Sequence, residues 1–205
     1  MTTDWEIFEQ IKLFLPKYLT PAQTEELYSE LKQFPTDKPF YLTRTDLEDE
    51  LLQGDGWRGF VVINFFTGER RTVSGVIISN SCDIFTENER ALETKILFAP
   101  LIKLSRYIEQ LRAVGKSEEQ IRNIITDIRR QHITKIFYLP GIPERFEESI
   151  ILFDDIHNHP LTHFVQQERT SIFTLNQVWF YIFLLKLSIH FSRFQEGVQR
   201  FENAA

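Results

Sequence analysis

Hydrophobic and polar positions follow a helical period in the first part of the chain. In residues 1–52, apolar side chains recur every three or four positions, and prolines separate the segments. Residues 5–14 place tryptophan, phenylalanine and isoleucine on one stripe, and Pro21 occupies the first turn of a capped second helix. A further short helix is predicted after Thr45. We therefore expect an N-terminal helical extension over residues 1–52.

After Gly54 the pattern changes to short runs of β-branched and aromatic residues. Glycines, prolines and charged turns separate these runs, as in a compact barrel or antiparallel sheet. Two helical segments interrupt them at 103–114 and 117–131, and Ser117 and Gln120 form a capping box at the start of the second. The predicted strands lie within residues 57–66, 72–81, 94–104, 134–141 and 148–156.

Residues 178–191 are apolar at nearly every position. The unbroken run ends at Lys186, well short of the ~20 residues that a membrane-spanning helix requires. We expect a buried helix within residues 174–194 instead. The apolar residues from Trp179 to Leu185 are consecutive and surround such a helix, so it must pack on two surfaces. The N-terminal helices, a second copy of the chain or another protein would cover the side that faces away from the core.

These patterns predict an α+β protein in three parts. The N-terminal extension ends at residue 52. The core, residues 53–168, forms a β-barrel or a strongly curved antiparallel sheet with a helical insertion at 103–131. Residues 169–205 contain the C-terminal aromatic helix, which packs on the core.

Length, charge and cysteine content narrow the class of protein. A chain of 205 residues can form one domain with its own core. The formal net charge of −6 argues against a protein that coats nucleic acid through bulk electrostatics. The basic stretch at 106–135 is interpreted as a solvated helical face. One cysteine excludes an internal disulfide, and the chain does not open with a signal-peptide pattern, so we expect a cytoplasmic protein with no membrane contact.

Residues 53–104 contain a pattern made of Gly54-Asp55, the charged loop 67–71, the apolar strand 76–80 and Thr94. This pattern resembles the core of the MazF/PemK-like toxins, a family of small β-barrel endoribonucleases. A Ser-x-x-Cys-Asp step at residues 79–83 follows the apolar strand and marks a divergent variant, and Ser74-Gly75 stands where the family has Arg-Pro. The resemblance implies a small antiparallel MazF/PemK-like barrel.

The resemblance also implies a function and a site. It implies a metal-independent endoribonuclease, or a toxin-like barrel that binds single-stranded RNA, in which Arg70 and Arg71 bind phosphate and Thr94 positions it. Such cleavage needs a group that accepts the proton of the ribose 2′-hydroxyl, and Glu69 is the nearest carboxylate. No cofactor or metal ion is implied. An ordinary charged hairpin turn is the alternative interpretation of residues 67–71.

A second function competes with the first. The chain has helices that compact toxins lack, and its balance of charge is acidic. Both features favour a non-catalytic MazF-like barrel that binds a protein partner, or a second copy of itself, through the C-terminal aromatic helix. Such a module would belong to a bacterial toxin–antitoxin or phage-defence assembly.

Cys82 and a group of histidines are the remaining candidates for chemistry. Acidic neighbours disfavour a thiolate at Cys82, so we interpret it as a small buried residue at a strand end. His157, His159 and His163 follow two aspartates, and all are potential metal ligands. The second ligand pair of a zinc motif is absent from the sequence, so we interpret this segment as a polar strand end and turn.

Overall fold

The protein is described here from a computed structural model, over residues 39–43, 50–88 and 91–192. In these ranges the chain has an α+β fold with antiparallel sheets, as the sequence predicts. The predicted helices before residue 39, and most of the short helix after Thr45, lie outside the described residues.

Eight strands and four α-helices occur in the described ranges. The strands are β1 (Gly56–Ile63), β2 (Arg70–Ile77), β3 (Lys95–Pro100), β4 (Ile102–Lys103), β5 (Ile136–Leu139), β6 (Ser149–Leu152), β7 (His157–Pro160) and β8 (Thr170–Phe173). The helices are α1 (Leu104–Ala113), α2 (Glu118–Arg129), α3 (Leu161–Gln166) and α4 (Gln177–Ser192).

The strands form two antiparallel sheets that share one stretch of chain. The first sheet has the order β7-β3-β2-β1-β8, and the second has the order β4-β6-β5. Residues 95–103 pass from the first sheet to the second, because β3 pairs with β2 and β7 whereas β4 pairs with β6. Strand pairing does not join the two sheets into a closed barrel within the described ranges, so the predicted barrel is not confirmed. Strand β8 pairs with β1, so the first sheet continues beyond residue 168.

The helical insertion forms where the sequence predicts it. Ser117 accepts a hydrogen bond from the backbone N–H of Gln120 at 3.2 Å, and the Gln120 side chain accepts one from the Ser117 N–H at 3.1 Å. This capping box starts α2. Ile121, Ile125 and Ile128 recur at helical spacing and are buried in a cluster that includes residues of β5 and β6. The insertion therefore covers the second sheet.

Aromatic rings fill the core on one face of the first sheet. Phe60 of β1 stacks on Phe98 of β3 and on Phe164 of α3, with ring centroids 4.1 Å and 4.3 Å apart. Gly75 of β2 leaves room for these rings, since a Cβ atom there would lie 2.8 Å from the Phe98 side chain. The Ser74-Gly75 step thus serves core packing.

Helix α4 is a core element, as predicted. Trp179, Ile182 and Phe183 are buried in a cluster with residues of β5 and β8, and the Phe40 ring stacks on Trp179 at 3.9 Å. Lys186 is also buried, and burial lowers its pKa to about 7. The predicted contact with residues 5–14 lies outside the described residues, and self-association through α4 stays a prediction.

Helix α4 has 16 described residues. In the ranges that the structure covers, no helix is long and apolar enough to span a membrane.

Candidate active site

The turn between β1 and β2 is fixed by its own hydrogen bonds. The Asn64 side chain accepts from the backbone N–H of Phe66 at 3.0 Å, and the Asn64 carbonyl accepts from the Gly68 N–H at 2.7 Å. Gly68 has a φ of +70°, a conformation that glycine adopts without strain. The Asn64 N–H donates to the Glu69 carbonyl at 2.9 Å and closes the turn. Residues 69–71 therefore enter β2 from a defined position.

Glu69 and Arg71 form an exposed ion pair at the start of β2. The Arg71 Nε and Nη2 donate to the two carboxylate oxygens of Glu69, each at 2.9 Å. This hydrogen bonding lowers the pKa of Glu69 and raises the pKa of Arg71. A carboxylate held in this pair is a weak proton acceptor, so the arrangement disfavours the role of base that the sequence suggested for Glu69.

Arg70 and Arg71 have different surroundings. Successive residues of a strand point to opposite faces of a sheet, and Arg70 pairs with Ile63 at the first position of β2. Arg71 lines a cavity, together with Val73 two positions later on the same face. Arg70 does not line that cavity.

Thr94 lies at the other end of the sheet from Arg71. Ile77 of β2 pairs with Phe98 of β3 in antiparallel register. Arg71 precedes Ile77 and Thr94 precedes Phe98, so the two residues lie on opposite sides of this pair. They also line different cavities. The structure therefore does not bring Thr94 and Arg71 to one phosphate.

A cavity of about 410 Å³ contains the predicted residues Glu69 and Arg71. Helix α1 contributes Arg106 and Gln110, and the segment that leads into β7 contributes Asp155 and His157. The remaining lining residues are Val62, Ile63, Asn64, Val73, Pro100, Leu101 and Ile102. The cavity thus combines two guanidinium groups, one imidazole and two carboxylates on a partly apolar floor.

Asp155 orients His157 within this cavity. The His157 Nε2 and the Asp155 Oδ1 lie 2.9 Å apart, and the imidazole stacks on the Phe98 ring at 5.7 Å. Strand pairing places this ring, because His157 of β7 lies opposite Phe98 of β3. A carboxylate beside Nε2 keeps the proton on that nitrogen and leaves Nδ1 as the acceptor. The His157 side chain is 31% exposed, so it is accessible from the cavity.

The other histidines of the segment have different surroundings. His159 is buried, and burial lowers its pKa. Its Nδ1 lies 3.1 Å from the Pro160 carbonyl, and its ring is 5.0 Å from the ring of His163. Across residues 39–43, 50–88 and 91–192, no three His, Cys, Asp or Glu side chains are grouped as a metal site.

The prediction that Cys82 is buried at a strand end is wrong. Strand β2 ends at Ile77, and Cys82 is exposed within the short 3₁₀ helix Ser81–Asp83. The Asn80 side chain caps this helix by accepting from the Cys82 N–H at 2.9 Å. Ile84 is the residue that enters the core, so the cysteine is left at the surface.

The polar residues around this 3₁₀ helix satisfy the backbone. The Ser79 hydroxyl accepts from the Leu97 N–H at 2.8 Å, and the Ser81 hydroxyl accepts from the Gln53 N–H at 2.9 Å. The Gln53 side chain donates to the Ile78 carbonyl at 2.8 Å. These hydrogen bonds join the end of β2 to the neighbouring segments of the chain. The Ser-Asn-Ser sequence therefore has a structural role, which is to pair backbone groups.

Asp55 reinforces the same end of the sheet from within. It is buried, and its carboxylate accepts from the Thr174 hydroxyl at 2.9 Å. Burial raises the pKa of Asp55 to about 8, although the hydrogen bonds from Thr174 and the Leu175 backbone oppose this shift. The Ile77 N–H donates to the Asp55 carbonyl at 2.9 Å. The Gly54-Asp55 step is therefore structural.

A second cavity of about 780 Å³ adjoins the first and shares Val73 and Leu101 with it. Arg58 and Lys103 also line it. The Arg58 guanidinium donates to the Arg145 carbonyl at 3.0 Å, and Lys103 pairs with a glutamate of the facing loop. The smaller cavity is the better candidate for chemistry because it also holds His157 paired with Asp155.

The sequence contained the histidine and aspartate but did not reveal their partners. From the sequence, residues 153–163 are interpreted as a polar strand end and turn or, alternatively, as metal ligands, and Arg106 lies in a stretch interpreted as a solvated face. The Asp-x-His spacing was the available signal, since residues two apart at a strand end can reach each other. The approach of α1 to this pair depends on tertiary packing.

Comparison with known proteins gives no family assignment. No protein-family model matches the chain, and no curated protein sequence matches it.

Proposed function

We propose that this protein is a metal-independent endoribonuclease whose active site is the cavity between the β1–β2 turn, α1 and β7. The observation that carries this proposal is the grouping of Arg71, Arg106 and the Asp155–His157 pair in one cavity. Phosphodiester cleavage by a neighbouring hydroxyl needs a proton acceptor and cations for the phosphorane. These residues supply both.

In the proposed reaction His157 acts as the general base. Its Nδ1 accepts the proton of the ribose 2′-hydroxyl, and the 2′-oxygen attacks phosphorus. The bond from phosphorus to the 5′-oxygen breaks, and that oxygen takes a proton from water. The products are a 2′,3′-cyclic phosphate and a 5′-hydroxyl, and His157 then returns its proton to solvent. Asp155 holds the imidazole in the tautomer that this step requires.

Arg71 and Arg106 are assigned to the phosphate. A guanidinium group binds two phosphate oxygens at once and stays protonated throughout the reaction. Arg71 is already oriented by Glu69, and Arg106 enters the cavity from α1. The role of Glu69 in this proposal is to position Arg71.

The proposal extends to architecture and location. The stretch 95–103 that belongs to both sheets supports the interpretation of the two sheets as parts of an open MazF/PemK-like barrel. The proposal places the protein in the bacterial cytoplasm, where single-stranded RNA is its substrate.

The test is cleavage of a defined single-stranded oligoribonucleotide in the presence of EDTA. We expect the wild-type protein to release fragments with cyclic phosphate and 5′-hydroxyl ends, and His157→Ala to lower the rate at least about a hundredfold. Asp155→Asn should also lower the rate, since the imidazole loses the carboxylate that orients it.

His132→Ala is the matched control. His132 lies 3.4 Å from Asp127 in an exposed pair outside the cavity, so this variant should cleave at the wild-type rate. Equal activity of His157→Ala and wild type would contradict the proposed site. A folded wild-type protein that cleaves no RNA would contradict the function and favour the protein-binding alternative.

A further inference from the structure

Two phenylalanines at the tip of the β1–β2 turn are almost fully exposed. Phe65 is 92% exposed and Phe66 is 101% exposed. A phenylalanine side chain that stays in water does not contribute the stabilisation that its burial would give to the fold. Single exposed apolar residues are common on protein surfaces, but two adjacent aromatic rings at a projecting turn form a surface that suits a ligand.

The rings are presented by an ordered turn. The Asn64 side chain accepts from the N–H groups of Phe66 and Thr67, at 3.0 Å and 3.4 Å. The Thr67 hydroxyl accepts from the Glu69 N–H at 3.3 Å. Asn64 also lines the candidate active site. The backbone that carries the two rings is therefore continuous with the wall of the cavity.

We infer that Phe65 and Phe66 form a stacking platform for the unpaired bases of a single-stranded nucleic acid. This inference rests on the proposed function and adds the residues that would hold the bases of the strand. Aromatic side chains stack on any exposed base, and arginines beside them contact the phosphates. Arg70 and Arg71 follow the two rings at the start of β2. A strand that stacks on the turn would thus place a phosphate at the mouth of the cavity.

Charge favours a nucleic acid strand over a lipid surface. The turn carries Glu69 beside its arginines, Asp155 lines the same cavity, and the chain has a formal net charge of −6. An anionic bilayer would meet this acidic surface over a wide area and be repelled. A single strand touches only the rings and the nearby arginines. A duplex offers phosphates but keeps the faces of its bases stacked.

The experiment measures fluorescence anisotropy of a labelled 2′-O-methyl single strand of about eight nucleotides. This strand lacks the 2′-hydroxyl, so binding is separated from cleavage. The Phe65→Ala/Phe66→Ala variant should bind it at least about tenfold more weakly than wild type. Phe65→Trp/Phe66→Trp should bind it as tightly as wild type, since indole also stacks. Phe85→Ala is the matched control, because Phe85 is 54% exposed and lies outside the turn.

The outcomes separate the inference from the proposed function. If the double alanine variant binds normally while wild type cleaves RNA, the stacking platform is wrong and the ribonuclease stands. If wild type binds no single strand and cleaves none, both are wrong. A variant that loses binding to anionic vesicles or to a protein but keeps binding to the strand would also overturn the inference. A selective loss of single-strand binding, with duplex binding unchanged, supports it.

Discussion

The two ends of strand β2 use polar residues in opposite ways. At its end, Ser79, Asn80 and Ser81 direct their side chains to backbone groups and complete the sheet. At its start, Arg71 pairs with the neighbouring Glu69 and lines a cavity together with Asp155 and His157. The polar residues at the end of β2 therefore have a structural role. The charged residues at its start instead line a cavity that a ligand can enter.

This difference shows that the most unusual motif in the sequence need not be the functional site. The Ser-x-x-Cys-Asp step attracts attention because it holds the one cysteine, yet its polar atoms serve the fold. The Arg71 end of β2 has the sequence of an ordinary charged turn, yet it contains the better candidates for active-site residues. We expect substitutions at the start of β2 to change activity with little effect on stability, and substitutions at its end to do the reverse.

The largest effect is expected for Arg71→Ala. Removing a cation that stabilises charge on the reacting phosphate should lower the cleavage rate roughly a hundredfold or more. The melting temperature should change little, because the Arg71–Glu69 pair is exposed and such pairs add little stability. Arg112→Ala is the matched control, since Arg112 forms a similar exposed pair with Glu118 outside the cavity. A marked loss of stability in Arg71→Ala would break the comparison.

Asp55→Asn should change how stability depends on pH. Burial raises the pKa of Asp55 from its ordinary value of 3.8 to about 8, so the folded state favours the protonated form. The stabilising contribution of protonated Asp55 to the free energy of unfolding is complete below the pKa that Asp55 has in the unfolded chain. This contribution is lost as pH rises through the pKa that Asp55 has in the folded protein. Between pH 5.5 and 7 the wild type should lose about 2 kcal/mol relative to Asp55→Asn.

Denaturant unfolding of both proteins at each pH measures the Asp55 effect. The difference between them isolates Asp55, because the buried Lys186 and His159 titrate in both. Parallel pH curves for the two proteins would show that Asp55 is ionised in the folded state.

Asn80→Ala should cost about 1 kcal/mol of unfolding free energy, as expected when a capping side chain is removed. Activity of the folded variant should be unchanged, since Asn80 lies at the end of β2 away from Arg71. Urea unfolding measures the loss. Asn123→Ala on the exposed side of α2 is the control and should not lower stability. If Asn80→Ala lost cleavage without losing stability, the end of β2 would have a functional role and the comparison of its two ends would be wrong.

The smallest effect is expected for Cys82→Ser. Because the side chain is exposed, the free energy of unfolding should change by less than about 0.5 kcal/mol. At neutral pH, a maleimide should label the Cys82 thiol of the native protein as rapidly as it labels the same thiol in the unfolded protein. Protection of the native thiol would show that the 3₁₀ helix is covered.

Local sequence signals predicted the elements that local interactions determine. The capping box at Ser117 and the isoleucine spacing of α2 act within a few residues, so both could be recognised directly. The all-round apolar character of residues 178–185 likewise predicted a buried helix. In contrast, β8 was not predicted, because its four residues gain their strand conformation from pairing with β1.

The candidate site required information that lies outside any local pattern. His157 lines the same cavity as Arg71 because β7 pairs with β3, which in turn borders β2. Register also separates Thr94 from Arg71, although both belong to the segment 53–104 that carries the family resemblance. Cys82 was mispredicted for a related reason, since the strand ended earlier than its apolar run and Ile84 took the buried position.

The pairing of β1 with β8 has a consequence for synthesis of the protein. Strand β1 lies at residues 56–63, whereas its outer partner lies at 170–173. At a translation rate of about 5–20 residues per second, the edge of β1 stays unpaired for roughly 5–20 seconds after it is made. An unpaired edge invites association with other chains. The outer edge of β1 is thus exposed to misassembly while the residues up to β8 are made, and the first sheet is completed only once β8 is available.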